Sequence, residues 1–166
     1  KPGSEIATLH GGVLGGALKQ GVLKVNQEIE IRPGIREENQ GMTMYKPFKT
    51  KIVSLITGGI STKEVHPGGS IGLETNLDPS WVKADSLIGN VVGLPGKIPE
   101  SLFEMQLKPY LLKRVVGTKE ELQVEPIKKG ESLLLNVNAS ATVGVVDELK
   151  KDKFHVNLKI PVCAEK

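Results

Sequence analysis

Cysteine, aromatic residues and long apolar runs are all scarce in this chain of 166 residues. The one cysteine, Cys163, excludes an internal disulfide and points to a reducing compartment or to indifference to redox conditions. Aromatics make up only 4% of the chain, so a core must be assembled from Val, Ile and Leu. No apolar run approaches the roughly 20 residues that span a bilayer. The first residues lack the basic head and apolar stretch of a signal peptide. These absences together point to a cytoplasmic protein with no membrane partner. Charge of either sign is also undominant: the net charge is +3, compatible with RNA contact but far from the clustered basic face of a strong nucleic-acid binder.

The motifs of several reaction classes are missing too. A phosphate cradle requires G-x-x-x-x-G-K-[ST]. The nearest candidate, Gly96-Lys97, is followed by Ile98 and has Val91 where the first glycine belongs. One Cys and three scattered His (His10, His66, His155) do not supply the ligand spacing of a zinc site. Gly68-Gly69-Ser70-Ile71-Gly72 fits G-x-S-x-G by letter, but it opens the strand expected at Ser70–Thr75 and not the strand-to-helix turn of a nucleophile elbow, so a nucleophilic triad has no anchor. The sequon Asn138-Ala139-Ser140 has no meaning for a chain that stays in the cytosol. The residues therefore argue for a binding function, with no catalytic group and no cofactor on this stretch.

What the chain has in abundance is punctuation: 19 glycines and 10 prolines separate short β-branched runs, the pattern of an all-β barrel or sandwich. Strands are expected near Val13–Lys19, Glu28–Arg32, Lys49–Thr57, Ser70–Thr75 and Leu87–Val92, then Phe103–Leu112, Ser132–Val137, Thr142–Glu148 and Phe154–Ile160. In the last, Phe154, Val156, Leu158 and Ile160 alternate with His155, Asn157 and Lys159, the period of a half-buried strand. His155 reads as a surface residue on the polar face. Leu107–Val116 is apolar on too many sides for an exposed helix and reads as strand. Asp78-Pro79-Ser80-Trp81-Val82 reads as one helical turn, Asp78 capping and Pro79 leading. Arg36–Gly41 reads as an exposed loop in a long hairpin. Gly93–Glu100 carries two prolines and two glycines and cannot easily continue a ladder. The expected division is thus 1–95 for a first small β-barrel and 96–166 for a second, incomplete one.

Three constellations are candidates for binding. The run Gly11–Gly16 would leave a bare backbone against which a planar group can lie; equally, such glycines mark a tight corner or close packing. The turn Lys63–Gly72 sets Glu64 and His66 beside a strand, where a carboxylate can accept from a ribose hydroxyl and an imidazole can stack or donate; it also reads as an ordinary turn with solvated charges. Lys108, Tyr110, Lys113, Arg114, Lys128 and Lys129 mix basic and aromatic groups suited to phosphates and bases. Glu120, Glu121, Glu125 and Glu131 dilute that field, as on a solvated face.

Several phrases resemble the gamma subunit of archaeal and eukaryotic translation initiation factor two. They are Lys1-Pro2-Gly3 with the run Gly11–Gly34, Val65–Gly72, Leu77-Asp78-Pro79 with Lys83-Ala84-Asp85, Leu112–Gly117, and Ile160-Pro161-Val162-Cys163. The Lys24–Ile31 phrase is shared widely among translational GTPases, whereas Ile31-Arg32-Pro33-Gly34 and Pro161-Val162-Cys163 narrow the likeness to this subunit. The resemblance implies the second domain and part of the third, both β-barrels, with GTP and magnesium belonging to a GTPase domain outside this stretch. It implies that Gly12, Val13, Glu64, Val65 and His66 line the pocket for the acceptor end of methionyl initiator tRNA. It also implies that Lys113 and Arg114 meet RNA backbone and that the alpha subunit docks on the first barrel. The beta subunit would attach through the GTPase domain, and the small ribosomal subunit would receive the assembly. Two alternatives stay open: a docking module whose RNA contact is incidental, and an elongation-type carrier of a special aminoacyl-tRNA.

Overall fold

The computed structural model describes residues 11–112 and 124–165. The chain is all-β, built from antiparallel curled sheets of the barrel type found in translational GTPases. It divides into two compact units, Lys1–Pro99 and Glu100–Lys166.

The first unit contains β1 (Val13–Ala17), β2 (Leu23–Lys24), β3 (Glu28–Asn39), β4 (Met42–Thr57), β5 (Ile60–Thr62), β6 (Glu64–Val65), β7 (Ser70–Thr75) and β8 (Val91–Gly93). Its main sheet runs β1-β7-β4-β3-β8 with β5 added alongside β4, and β2 pairs with β6 in a separate ladder. Alternation decides what goes inside. Leu73 lies opposite both Leu14 and Leu55, and this row faces inward. There it joins Leu23, Ile29, Ile52, Val65 and Ile71 in one cluster. Each such side chain contributes about 1.5–3 kcal/mol on full burial. Because β2, β3, β4, β6 and β7 all send residues to the same cluster, the sheet must curl around it.

The hairpin between β3 and β4 corrects the expected loop at Arg36–Gly41. The ladder continues from Ile35↔Lys46 to Asn39↔Met42, and only Gln40 and Gly41 form the turn, both at positive φ. Both faces of this arm are exposed beyond Ile35, so it carries none of the alternation that marks a half-buried strand. The same cause hid the start of β4. A second correction concerns Leu87–Val92: the chain turns through 85–90 with Ile88 N–H bonded to the Asp85 carbonyl and Asn90 N–H to that of Leu87, and pairs only at Val91–Gly93. Asp78 does cap a 3₁₀ segment, Pro79–Asp85, its carboxylate accepting from Ser80 N–H at 2.8 Å. That segment is kinked at Lys83 and Ala84.

A buried ion pair ties the far side of this unit. Glu30 is only 6% exposed; its carboxylate accepts from Gly96 N–H at 2.9 Å and from Arg32 Nε at 2.7 Å. The Gly96 hydrogen bond, then the Arg32 guanidinium, hold this carboxyl below the usual range despite burial.

The second unit contains β9 (Ser101–Leu107), β10 (Ser132–Val137), β11 (Ser140–Leu149) and β12 (Phe154–Cys163) in the order β10-β11-β12-β9. Val146, Phe154 and Val156 centre its core, with Met105, Leu133, Leu135 and Leu158 packed around them. The expected alternation in β12 holds to Leu158 and then changes phase: Ile160 is exposed, while Pro161, Val162 and Cys163 are buried. The register with β9 shifts between Asn157 and Val162. Thr142 Oγ1 supplies the local substitute for ladder bonds, donating to the Ile160 carbonyl at 2.8 Å and accepting from its N–H at 3.0 Å. Pro161 has no N–H to give a ladder, which suits it to such a bulge. The strand expected over Phe103–Leu112 ends at Leu107; Lys108–Leu112 form no ladder, and 113–116 lie outside the described residues.

His155 is more enclosed than a surface residue. Its Nδ1 lies 2.7 Å from Asp147 Oδ1 and its Nε2 lies 3.7 Å from Glu104. The hydrogen bond from His155 lowers the Asp147 carboxyl below its ordinary value.

The Glu30 pair makes a testable statement about acid stability. A carboxyl depressed in the folded state adds stability above its unfolded pKa and loses it as the pH falls through the folded value. Glu30→Gln is expected to cost about 1–3 kcal/mol at neutral pH, the penalty of a mispaired buried polar group. Urea midpoints measured from neutral to acid pH should converge for the two proteins at the acid end. Parallel curves would show that Glu30 contributes nothing to the pH dependence.

Candidate functional site

The glycine run divides into two physically different halves. Gly12 is buried where β1 begins. Its N–H donates to the Leu77 carbonyl at 2.8 Å, and its carbonyl accepts from Thr75 N–H at 3.0 Å and Thr75 Oγ1 at 2.7 Å. A Cβ on Gly12 would sit 2.9 Å from both Val82 methyls, and one on Gly11 would sit 1.7 Å from the Thr75 carbonyl oxygen. These two glycines serve close packing within the chain. Around Gly15 and Gly16, by contrast, an added Cβ would meet nothing within 4 Å. Their bareness is not used by any neighbour among the described residues.

Register shows what surrounds that bare surface. Val13 lies opposite Glu74, and Gly15 opposite Gly72. On the other side of β7, Glu74 lies opposite Ser54 and Gly72 opposite Ile56. Ile56 in turn lies opposite Ser61 of β5. Since directly paired residues share a face, these form two adjoining rows on the outward side of the sheet. One is Gly15–Gly72–Ile56–Ser61; the other is Val13–Glu74–Ser54. The result is a shallow floor of backbone at Gly15 and Gly72, bordered by the apolar Val13 (59% exposed) and Ile56 (46% exposed). Ser54 Oγ donates to Glu74 Oε2 at 2.7 Å, holding a carboxylate at the margin. Sequence reading passed over Ser54, Ile56 and Glu74. The alternation in β4 and β7 was the available signal, but which strand lies beside β1 was not.

Glu64, Val65 and His66 stand in the other ladder. β6 pairs with β2 through Leu23↔Val65 and Lys24↔Glu64. Glu64 receives His66 Nε2 at 3.4 Å and Lys24 Nζ at 3.3 Å. The His66 contact, followed by Lys24, lowers the Glu64 carboxyl from its usual value. Glu64 and His66 are both exposed, an anionic centre flanked by two donors. Val65 is 3% exposed and belongs to the core, so a ligand here could meet its backbone alone. The structure thus joins Glu64 with His66 and Lys24, and joins Gly12 and Val13 with β7. The two groups occupy different ladders.

In the second unit, Lys113 and Arg114 lie outside the described residues. Tyr110 is fully open to solvent, while Lys128 is engaged by Glu125 at 2.6 Å. Among the described residues, no group of three or more His, Cys, Asp or Glu is placed to hold a metal ion. No helix among them is long and apolar enough to cross a membrane.

Residues 103–166 match the family model described as "Initiation factor eIF2 gamma, C terminal". The whole chain is similar to curated proteins named translation initiation factor 2 subunit gamma. The Methanococcus maripaludis protein is 52% identical over 166 residues, 100% of this chain and 40% of the relative. The Methanocaldococcus jannaschii and Pyrococcus horikoshii proteins are 52% and 54% identical over 165 residues, 99% of this chain and 40% of each relative. The chain therefore spans about two-fifths of the length of the relatives it matches. With that identity running through both units, the chain belongs to the gamma-subunit family of translation initiation factor 2.

Proposed function

We propose that this stretch acts in translation initiation by binding and orienting, as part of a GTP-dependent carrier of methionyl initiator tRNA. The terminal nucleoside of the acceptor end lies on the outward floor at Gly15 and Gly72, with Val13 and Ile56 against its faces. Glu74, already engaged by Ser54, borders that floor with its carboxylate, and Glu64 with His66, in the separate β2–β6 ladder, is a second polar group assigned to the tRNA. Gly12 acts by seating β1, and Val65 by holding β6 to the core. GTP and magnesium belong to a further domain of the whole protein. The assembly works in the cytoplasm with the alpha and beta subunits and delivers its tRNA to the small ribosomal subunit.

The observation that carries this reading is the unused bareness of Gly15. Glycine in a strand carries an entropic penalty of about 0.5–1 kcal/mol against alanine, and no neighbouring atom among the described residues accounts for it. An external planar group does. Names of the relatives support the setting.

Docking of the alpha subunit has its own support. The β3–β4 arm carries Met42 and Met44, 65% and 56% exposed, at alternate positions and hence on one face. Exposed methionines suit adaptable protein contacts.

Two outcomes test these readings in the full-length factor. Gly15→Val should leave the melting temperature unchanged or slightly raised, and weaken methionyl initiator tRNA about tenfold by filling the floor. Unaltered tRNA affinity would refute the floor as the acceptor-end site. Replacing Met42 and Met44 together by Ser should reduce capture of purified alpha subunit without changing tRNA affinity; undiminished capture would exclude the arm.

A further inference from the structure

A second surface in the first unit forms a cleft and shares no residue with the acceptor-end floor. Where β4 and the chain leaving β7 diverge, they enclose an open cleft of about 690 Å³, lined by Asn26, Glu28, Lys49, Lys51, Asn76 and Trp81 among others. Pockets of ~300–1,000 Å³ are the size used for small-molecule recognition.

Trp81 is held in place and left open. Asp78 caps its segment, Ser86 Oγ donates to its carbonyl, and Phe48 meets its ring edge-to-face with centroids 5.5 Å apart. Yet 44% of the residue remains exposed. Around it stand groups with nothing to bind within the described chain: the side-chain amides of Asn26 and Asn76 and the ammonium of Lys51. The cleft's acids are already engaged, Glu28 with Lys49 at 3.7 Å and Asp78 in its cap. Leu77 is the one aliphatic member of the lining, and it is buried, so Trp81 is the open apolar side chain of the cleft.

A fixed, half-open indole, free amides and a spare ammonium match the parts of a nucleotide. We propose that this cleft binds one nucleotide unit of single-stranded RNA, the base stacked on Trp81, its edge read by Asn26 and Asn76, and the adjoining phosphate set against Lys51. Stacking of a base on an aromatic side chain is a recurrent mode of single-strand recognition, and it tolerates sequence.

The chain contains one tryptophan, so its own fluorescence reports the site directly. Titration of this chain with oligouridylate and oligoadenylate hexamers should give saturable quenching. Lys51→Ala and Asn76→Ala, both at exposed positions, should each weaken the midpoint about tenfold, as loss of a hydrogen bond or charge contact does. Inorganic tripolyphosphate should leave the emission unchanged. Absence of quenching at millimolar oligonucleotide would overturn the proposal. So would equal midpoints in all three proteins, or quenching by tripolyphosphate alone. Because Gly15→Val leaves this cleft intact, failure of either site leaves the other standing.

Discussion

Strand register between β1, β7 and β4 is the constraint on which the first unit depends. Because side chains alternate, one pairing sends Leu14, Leu73 and Leu55 into the core and leaves Gly15, Gly72 and Ile56 outside. A slip by one residue would exchange the two sets. It would expose the leucines and turn the glycine floor inward, where it would leave a void. Core packing and the outward floor are therefore a single choice, enforced by the hydrophobic effect rather than by any residue of the site itself.

The separation within the glycine run follows from the same geometry. At the Thr75 end of β7, the chain turns into the Pro79–Asp85 segment and folds over β1, so Gly11 and Gly12 are demanded by Thr75 and Val82. Farther along, β1 is the edge strand among the described residues, and nothing described covers Gly15 or Gly16. One motif thus serves packing at one end and access at the other. On the opposite flank, Glu30 uses its two oxygens to hold Arg32 and Gly96 together, fixing the turn that follows β8.

Much of the fold was legible because half-buried strands advertise themselves. Ser70–Thr75 and Ser132–Val137 alternate cleanly and were found with the bounds they have. The failures share a physical cause: the pattern is silent where burial is not one-sided. The β3–β4 arm is largely exposed on both faces, so Arg36–Asn39 looked like loop and Met42–Phe48 was assigned to no strand. Ile160 broke the alternation because the register with β9 shifts between Asn157 and Val162. For the site, Glu64, His66 and the glycines could be picked out as residue types. What could not be read was which strands are neighbours in space. Hence Ser54, Ile56 and Glu74 went unnoticed, and Val65 was grouped with exposed residues when it is core.

Chemical-shift mapping of the chain's backbone amides with a methionylated acceptor-end minihelix would show whether the outward glycine floor receives the acceptor end. The largest changes are expected on Gly15, Gly72, Ser54 and Ile56, members of the two outward rows. Changes concentrated on the β10-β11-β12-β9 sheet, with those four amides unmoved, would contradict it.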